Sequence, residues 1–568
     1  MFENKLDYTN SSETMLIDKF KNILNQVNLD GFIIPMEDNH LNESININDN
    51  YVEYFTGFNG TAGKLLITKS KIGLYLDSRY YTMAEKFTEE NNIELIKRGE
   101  IKLEEFFDSE NVKKVGICPM FISSKMFENL KHSLEEKHIK LIESDNIADK
   151  IWINKPNRVH KGAVKISDKN RIELIRSKLI KNDEMIIITD LDTIAWITNL
   201  RGGDIEFNNI FYSFLVINKE KAILFVNNFN EEIQNIEIRK YDVFENFLKK
   251  LSNKNILIDR RINQQYYSLI KKYNNVEITY EVKKEQSIKT DEEIDNYFDV
   301  IKNDAIALIE LFDYITKHDE DEVMIEERLR SIKEKLFKDS GYTKESFRSI
   351  VAINSPDIHH DNNKLKVFKN GDIVLLDTGS HYFVGATDIS RTISKGEVNP
   401  DIKQKYTLVL KGVIQNYITD NKIESGCDVH ENSKSFLKEN GLSYSHATGH
   451  GVGIIVHDMF PQIRAKGSML FNNQIFTIEP GYYHVDKKSP ENEYGIRIED
   501  MVFYKDGKVT NMTYVPYHLD LIDFKLLSNK EIEYLNSFNR QIKISLKDKI
   551  PSNNDYFINN TKEIPLNV

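Results

Sequence analysis

Five residues in the last third of the chain combine four carboxylates with one imidazole, and each ends a short apolar or glycine-rich run. They are Asp377, Asp388, His450, Glu479 and Glu499, in the frames LLDTGS, GATDISRT, HATGHGVG, FTIEPGYY and GIRIED. An oxygen-rich set of this kind suits two divalent metal ions that share bridging carboxylates. Such a centre activates water, so the pattern predicts a hydrolase.

The alternation of side chains in two predicted strands places both glutamates opposite apolar neighbours. In FTIEPG, Glu479 lies on the face opposite Phe476 and Ile478, because successive strand residues point to opposite sides. The same alternation in GIRIED puts Arg497 and Glu499 on one face. Each glutamate is therefore predicted to project from a strand whose other face packs against a core.

The two aspartates lie in GDIVLLD and FVGATDI, a predicted hairpin that can bring both carboxylates onto one face. Taken singly, each acid also has an ordinary interpretation. Asp377 could form a turn before Gly379, Glu479 could end a strand, and Glu499 could face solvent. Acids flanked by apolar residues in four separate strands favour a common role, because buried carboxylates need a counter-charge that metal ions supply.

Several histidines accompany the acids. His450 lies in TGHGVG, where glycines allow the backbone to approach closely. A single histidine is more often an ordinary core residue, but His446 precedes His450 and His457 follows it. His359 and His360 lie upstream. Histidines beside a carboxylate cluster suit proton transfer and oxyanion stabilisation.

Composition limits the possible function classes. A chain of 568 residues is too long for one core and predicts three or four domains. The net charge of −12 argues against a nucleic-acid partner. Because the chain has only two cysteines, we expect no disulfide framework and a reducing compartment. The start MFENKLDYTNSSETM lacks a signal-peptide pattern, and no apolar stretch is long enough to span a membrane, so a cytoplasmic protein is predicted.

Two segments of the first half resemble each other. YFTGFNG with LLITKSKIGLYLDSRY is matched by WITNLRGGDIEFNN with SFLVINKEKAILFVNN, which predicts a duplicated α/β domain with a break near 154–157. Thr290 and Glu293 have capping-box spacing and open a long amphipathic helix. The polar stretch 547–568 is predicted to be a loosely held tail. The predicted domains are residues 1–155, 156–287 and 288–568.

On these motifs the chain resembles the pita-bread metallopeptidases, the superfamily of methionine aminopeptidase, prolidase, creatinase and aminopeptidase P. HATGHGVG, EPGYY and GIRIED are most similar to the three-domain, cytosolic type of Xaa-Pro aminopeptidase. YFTGFNGTAG and IAWITNLRGGDIEFNNIFYSF resemble its N-terminal domains. The resemblance implies an α/β (α+β) fold, with two creatinase-like N-terminal α/β domains and a C-terminal pita-bread domain that carries a C-terminal extension.

The resemblance also implies a role for each matching acid. Asp377 would chelate one metal ion with both oxygens, and Asp388 and Glu499 would bridge the two ions. His450 and Glu479 would complete the second ion's ligands. Glu479 would also accept the proton of the bridging water.

For the remaining histidines the resemblance implies substrate contacts. His359 and His457 would stabilise the tetrahedral intermediate and bind the substrate backbone, and His446 would lie near the proline ring. His359 is preferred to His360 by alignment. Asp458, beside His457, replaces a glutamate common in the family, which affects details of substrate contact and no metal ligand.

The implied reaction is hydrolysis of the N-terminal Xaa-Pro bond by a metallo-aminopeptidase, with Arg497 orienting a ligand carboxylate. Two divalent ions are implied, Mn²⁺ first and Zn²⁺ or Co²⁺ as alternatives, and a homodimer is expected. The expected partners are peptides with proline at position two, with neither nucleic acid nor membrane. The alternatives are a prolidase-type Xaa-Pro dipeptidase on the same fold and a catalytically inactive pita-bread binding protein.

Overall fold

The structure, a computed structural model, describes residues 10–90, 93–181, 183–338, 340–359 and 365–566. The chain divides into two compact units, Met1–Val282 and Lys283–Val568. Neither the predicted boundary at 155 nor that at 287 coincides with this division, and both stay predictions. A search of the described helices finds none with the length and apolar character needed to cross a membrane.

The first half of unit 1 is built on a six-stranded sheet in the order β4-β3-β2-β1-β5-β6. Strand β1 pairs antiparallel with β2 and parallel with β5, so the sheet is mixed. Its elements are α1 (Asn10–Gln26), β1 (Gly31–Pro35), α2 (Tyr51–Thr56), β2 (Lys64–Thr68), β3 (Ile72–Leu76), α3 (Tyr81–Glu90), β4 (Glu94–Lys97), α4 (Leu103–Asp108), β5 (Lys114–Ile117), α5 (Ser124–Glu135) and β6 (Lys140–Glu143).

The second half of unit 1 repeats this topology, with the strand order β12-β11-β10-β8-β13-β14. Here β8 pairs antiparallel with β10 and parallel with β13, as β1 does with its own neighbours. The predicted duplication is therefore confirmed. The elements are β7 (Ala163–Lys165), α6 (Ile172–Leu179), β8 (Glu184–Ile188), α7 (Leu191–Thr198), β9 (Leu200–Gly202), β10 (Ser213–Asn218), β11 (Ala222–Val226), β12 (Glu237–Arg239), α8 (Phe244–Leu248), β13 (Asn255–Ile258), α9 (Gln264–Lys271) and β14 (Asn275–Ile278).

Unit 2 combines helices with two larger antiparallel sheets and two antiparallel strand pairs. After α10 (Glu281–Ser287), which spans the division, it contains α11 (Asp291–Ile315), α12 (Glu322–Leu336), β15 (Tyr342–Glu345), β16 (Ile350–Ile353), β17 (Ile373–Thr378), β18 (Ser380–Tyr382), β19 (Ile389–Ser394), α13 (Pro400–Ile418), α14 (Gly426–Glu439), β20 (Gly449–Gly451), β21 (Asp458–Ile463), β22 (Gln474–Ile478), β23 (Gly481–His484), β24 (Tyr494–Arg497), β25 (Asp500–Lys505), β26 (Lys508–Asn511), α15 (Asn529–Leu546) and α16 (Asp555–Asn560). One sheet has the order β16-β17-β19 and the other β21-β20-β22-β25-β26.

Helix α11 begins as predicted. The Thr290 hydroxyl accepts from the backbone N–H of Glu293, and the Glu293 carboxylate accepts from the backbone N–H of Thr290. This capping box satisfies two backbone donors that a helix start leaves free. The predicted apolar stripe of the helix is buried in the large core of unit 2.

The expected loose tail is wrong for the described part of 547–568. Helix α16 forms there, with Tyr556 buried against Phe312 of α11. Asn536 of α15 donates its side-chain N–H to the Ile564 carbonyl over 2.8 Å. The prediction was wrong because it rested on the polar composition of the segment, whereas a few apolar residues pack it against the rest of unit 2.

His40 in unit 1 is held as a neutral ring. Its Nδ1–H donates to the Thr189 carbonyl over 2.8 Å, and its Nε2 accepts from the Tyr241 hydroxyl over 2.8 Å. Burial lowers the pKa of His40 from its ordinary 6.5 to about 3, because the charged ring would lose its hydration. The unfolded chain therefore binds a proton that the folded chain rejects between these two pH values.

We expect His40→Gln to flatten the acid side of the stability profile. In the wild type, this histidine's contribution to the free energy of unfolding is complete well above pH 6.5 and falls by about 1.4 kcal/mol per pH unit as the pH drops toward 3. Urea unfolding at pH 7, 6 and 5 measures the slope. His132→Gln, at a side chain 79% exposed, is the control and should keep the wild-type slope. Equal slopes for His40→Gln and wild type would contradict the assignment.

Candidate metal centre

The five predicted ligands come from both sheets of unit 2, and each lies on a strand or within one residue of one. Asp377 is on β17 and Asp388 immediately precedes β19, its antiparallel partner. His450 is on β20, and Glu479 directly follows β22. Glu499 lies between β24 and β25. Antiparallel pairing of β20 with β22 and of β22 with β25 aligns the donors of the larger sheet.

The structure brings these side chains together. Potential ligand atoms lie within 4.8 Å of one another in three overlapping groups, which are Asp377/Asp388/Glu499, His450/Glu479/Glu499 and Asp388/His450/His457. The His450 Nε2 lies 3.4 Å from Asp388 Oδ2 and 3.7 Å from Glu479 Oε1. Asp388 and Glu499 each belong to two groups, so their positions suit carboxylates shared between two ions.

Burial and neighbouring carboxylate charges raise the pKa of three acids of the cluster. Burial, and then the charge of Asp377, raise the pKa of Asp388 well above its ordinary value. Burial followed by the charges of Asp388, Glu479 and Asp377 does the same to Glu499. The pKa of Glu479 rises to about 7 through burial, against the opposing effect of His450 and Arg497. Such a set is costly unless a cation compensates it.

Three oxygens of the cluster have no hydrogen-bond partner among the described residues. They are Oδ1 of Asp377, Oδ1 of Asp388 and Oε1 of Glu499, and all three are buried. The second oxygen of two of these groups is held by a donor. Arg497 Nη2 donates to Asp377 Oδ2 over 2.6 Å, and Ser390 Oγ donates to Glu499 Oε2 over 2.9 Å. Unsatisfied buried oxygens beside an imidazole fit a pair of divalent cations.

Arg497 connects the cluster to its surroundings. Its guanidinium is 2% exposed and donates to Asp377, to Ser390 Oγ over 3.2 Å and to the Tyr483 hydroxyl over 2.9 Å. It also donates to the Ile358 carbonyl over 3.3 Å. One rigid side chain thus fixes two acids, one directly and one through Ser390.

The predicted histidines are arranged around the acids. His446 Nε2 lies 2.9 Å from the Tyr483 hydroxyl, and its Nδ1 lies 3.9 Å from Glu479 Oε2. His457 packs edge-on against His450, with ring centroids 4.3 Å apart. His359 is half-buried and follows Ile358, whose carbonyl is held by Arg497. The alternative, His360, lies outside the described residues.

Several residues of the centre were missed by sequence reasoning. Tyr483 shares a hydrogen bond with His446, and Thr448 accepts the Glu479 backbone N–H at its carbonyl over 2.7 Å. The Thr448 hydroxyl lies 2.6 Å from the Tyr444 hydroxyl and 2.7 Å from His430 Nδ1. The string EPGYY could have suggested Tyr483. The bonds of Thr448 to His430 and Glu479 join residues distant in the chain, and no local pattern signals them.

Asp458 contributes no atom to the three donor groups. Its side chain is buried, and its Oδ2 lies 3.8 Å from Nζ of Lys289.

Comparison with known proteins indicates the family. The model of metallopeptidase family M24 matches residues 300–506, and the C-terminal region of peptidase M24 matches 508–564. Two models of the creatinase/prolidase N-terminal domain match 17–151 and 155–293. Residues 300–506 are thus similar to metallopeptidase family M24. The predicted fold class, creatinase-like domains followed by a pita-bread domain, is thereby confirmed.

Relatives of this chain share its full length. Xaa-Pro aminopeptidase 1 of Dictyostelium discoideum is 29% identical, over 93% of this chain and 92% of that protein. A probable Xaa-Pro aminopeptidase P of Botryotinia fuckeliana is 28% identical, over 96% and 91%. The crystal structure of X-prolyl aminopeptidase from Caenorhabditis elegans, described as a cytosolic enzyme with a di-nuclear active site, has a TM-score of 0.87 at 22% identity, over 98% of this chain and all of that one.

The predicted enzyme class is confirmed. This chain is a hydrolase of the metallo-aminopeptidase type. The dipeptidase and binding-protein alternatives are not favoured.

We expect Glu499→Gln to have opposite effects on the metal-free and metal-loaded protein. Without metal the variant should unfold at a higher temperature than wild type, since one of four crowded carboxylates becomes neutral. Adding Mn²⁺ should raise the unfolding temperature of wild type and leave that of the variant nearly unchanged. Thermal unfolding of chelator-treated protein with and without Mn²⁺ tests both effects. If Mn²⁺ raises the unfolding temperature of the variant as much as that of wild type, Glu499 is not a metal ligand.

Proposed function

We propose that this peptidase removes the N-terminal residue from peptides whose second residue is proline. Two divalent ions would be held by Asp377, Asp388, His450, Glu479 and Glu499. The observation that supports this most directly is the set of three buried carboxylate oxygens without hydrogen-bond partners among the described residues, all within one cluster.

When bound, two such ions would lower the pKa of a shared water and polarise the scissile carbonyl. Glu479 accepts the proton of that water. A carboxylate in this position can gain the proton and then give it to the leaving nitrogen. Without metal, burial raises the pKa of Glu479 to about 7, and the Arg497 charge opposes that rise.

The histidines bind the substrate. His457 and His359 donate hydrogen bonds to the developing oxyanion and to the peptide backbone. His446, held by Tyr483, lines the space for the proline ring. The nitrogen of an Xaa-Pro bond has no N–H and carries the proline ring. A site for this bond therefore needs side chains that contact the ring, at the position where other peptidases place an acceptor for the N–H.

The finer features of the proposal follow the family resemblance. Hard oxygen donors with one imidazole suit Mn²⁺, with Zn²⁺ and Co²⁺ as alternatives. We further propose a cytoplasmic homodimer. The Caenorhabditis elegans neighbour is described as cytosolic, which supports the compartment.

The proposal is tested with the peptides Arg-Pro-Pro, Arg-Pro and Arg-Ala-Ala. The Mn²⁺-loaded enzyme should release arginine from Arg-Pro-Pro, more slowly from Arg-Pro, and scarcely from Arg-Ala-Ala. Faster cleavage of Arg-Pro would instead favour the dipeptidase. Glu479→Gln should lower kcat by roughly 10²- to 10⁴-fold, because the proton acceptor is lost. Metal analysis of the variant separates loss of base from loss of metal, and Glu334→Gln, at an exposed glutamate, is the control.

Arg497→Lys tests the role of the guanidinium. A single ammonium cannot reach Asp377, Ser390 and Tyr483 together, so the acids lose their fixed orientation. We expect a loss of roughly 10- to 100-fold in metal affinity or turnover. Metal analysis and Arg-Pro-Pro hydrolysis measure it, with the exposed Arg464→Lys as control. Full activity and full metal content would show that Arg497 does not orient a ligand.

A further inference from the structure

A buried carboxylate on α11 holds both ends of the loop that connects β17 to β19. Asp304 is 1% exposed, and its Oδ1 accepts from Ser380 Oγ over 2.5 Å and from the Tyr382 hydroxyl over 3.2 Å. Its Oδ2 accepts from Thr387 Oγ1. Thr387 directly precedes Asp388, so Asp304 is connected to one of the candidate ligands through a single residue.

Ser380 and Thr387 are also bonded to each other. The Ser380 backbone N–H donates to Thr387 Oγ1 over 2.9 Å, and the Thr387 N–H donates to the Ser380 carbonyl over 2.8 Å. The loop is closely packed, since a Cβ on Gly379 would lie 2.0 Å from the Thr387 carbonyl oxygen. Asp304 therefore contacts a loop whose two sides already touch, and its carboxylate fixes their spacing.

A buried ammonium on α12 holds the start of the same loop. Lys333 is fully buried, and its Nζ donates to Thr378 Oγ1 and to the Gly379 carbonyl, both over 2.9 Å. Thr378 directly follows Asp377. The Thr378 hydroxyl also lies 2.6 Å from that of Ser349, which extends the network to a second loop.

These two charges are costly to bury, and stability alone does not explain them. Apolar residues of similar size are often as stabilising as a buried charged network, or more so. The two side chains bond to the residues that flank Asp377 and Asp388, and to no atom of the three donor groups. Asp304 accepts hydrogen bonds from three hydroxyls, and Lys333 donates to one hydroxyl and one backbone carbonyl. These bonds fix the position of the loop backbone.

We propose that Asp304 and Lys333 are positioning residues that set the separation of the Asp377 and Asp388 carboxylates before metal binds. The inference rests on the proposed metal centre. A site binds a cation more tightly when its ligands are already held in place, because ordering them at binding costs free energy. Helices α11 and α12 supply that order from outside the two sheets that carry the ligands.

Asp304→Asn and Lys333→Met test the proposal in the full-length, chelator-treated protein. Calorimetric titration with Mn²⁺ should show affinity reduced about 10-fold or more in each variant, as for other partners behind a metal site. Turnover of Arg-Pro-Pro should recover toward the wild-type value as the Mn²⁺ concentration is raised. A merely structural role would lower the unfolding temperature and leave both readouts unchanged.

Glu531→Gln is the matched control, because Glu531 is also a buried helical carboxylate, bonded to Ser528 and Lys411. It should lose stability and keep wild-type Mn²⁺ affinity. If Asp304→Asn does not fold, Ser380→Ala removes one of its bonds and should weaken Mn²⁺ binding in the same direction. Wild-type affinity in the folded variants overturns the inference, whereas absence of Mn²⁺ binding by the wild type overturns the proposed function instead.

Discussion

The mutual repulsion of buried carboxylates is the constraint on which the catalytic unit depends. Asp388 and Glu499 are nearly inaccessible to water, and burial together with the charges of other carboxylates in the cluster raises the pKa of each. A fold can keep such groups together only if its remaining contacts hold the backbone against the repulsion, and if a cation offsets it. Two sheets, the Arg497 guanidinium and the network of Asp304 and Lys333 supply the first condition. Divalent ions would supply the second.

The arrangement separates two tasks that small active sites often combine. Oxygens that face the centre have no partner among the described residues, while Asp377 and Glu499 each have a second oxygen held by Arg497 or Ser390. One oxygen fixes orientation and the other is left for chemistry. This division explains why a buried arginine lies so close to candidate cation ligands without neutralising the site.

Local patterns in the sequence predicted much of this. The five donors, the capping box of α11 and the duplicated domain depend on spacing within short segments, and spacing is visible in a sequence. The bonds of Asp304 were not predictable, because Ser380 and Thr387 meet it only after the hairpin folds onto α11. The prediction of a loose C-terminal stretch was wrong for a different reason. Its composition is polar, yet Tyr556 is buried against Phe312 of α11.

The order of the residues along the chain gives the positioning network another meaning. Asp304 and Lys333 lie on α11 and α12, which precede all five candidate ligands. Proteins are synthesised from the N-terminus, and structure forms in that direction as the chain emerges. The helices that hold the β17–β19 loop are thus synthesised before the first aspartate. The chain therefore carries the two positioning residues before it carries the carboxylates that repel one another.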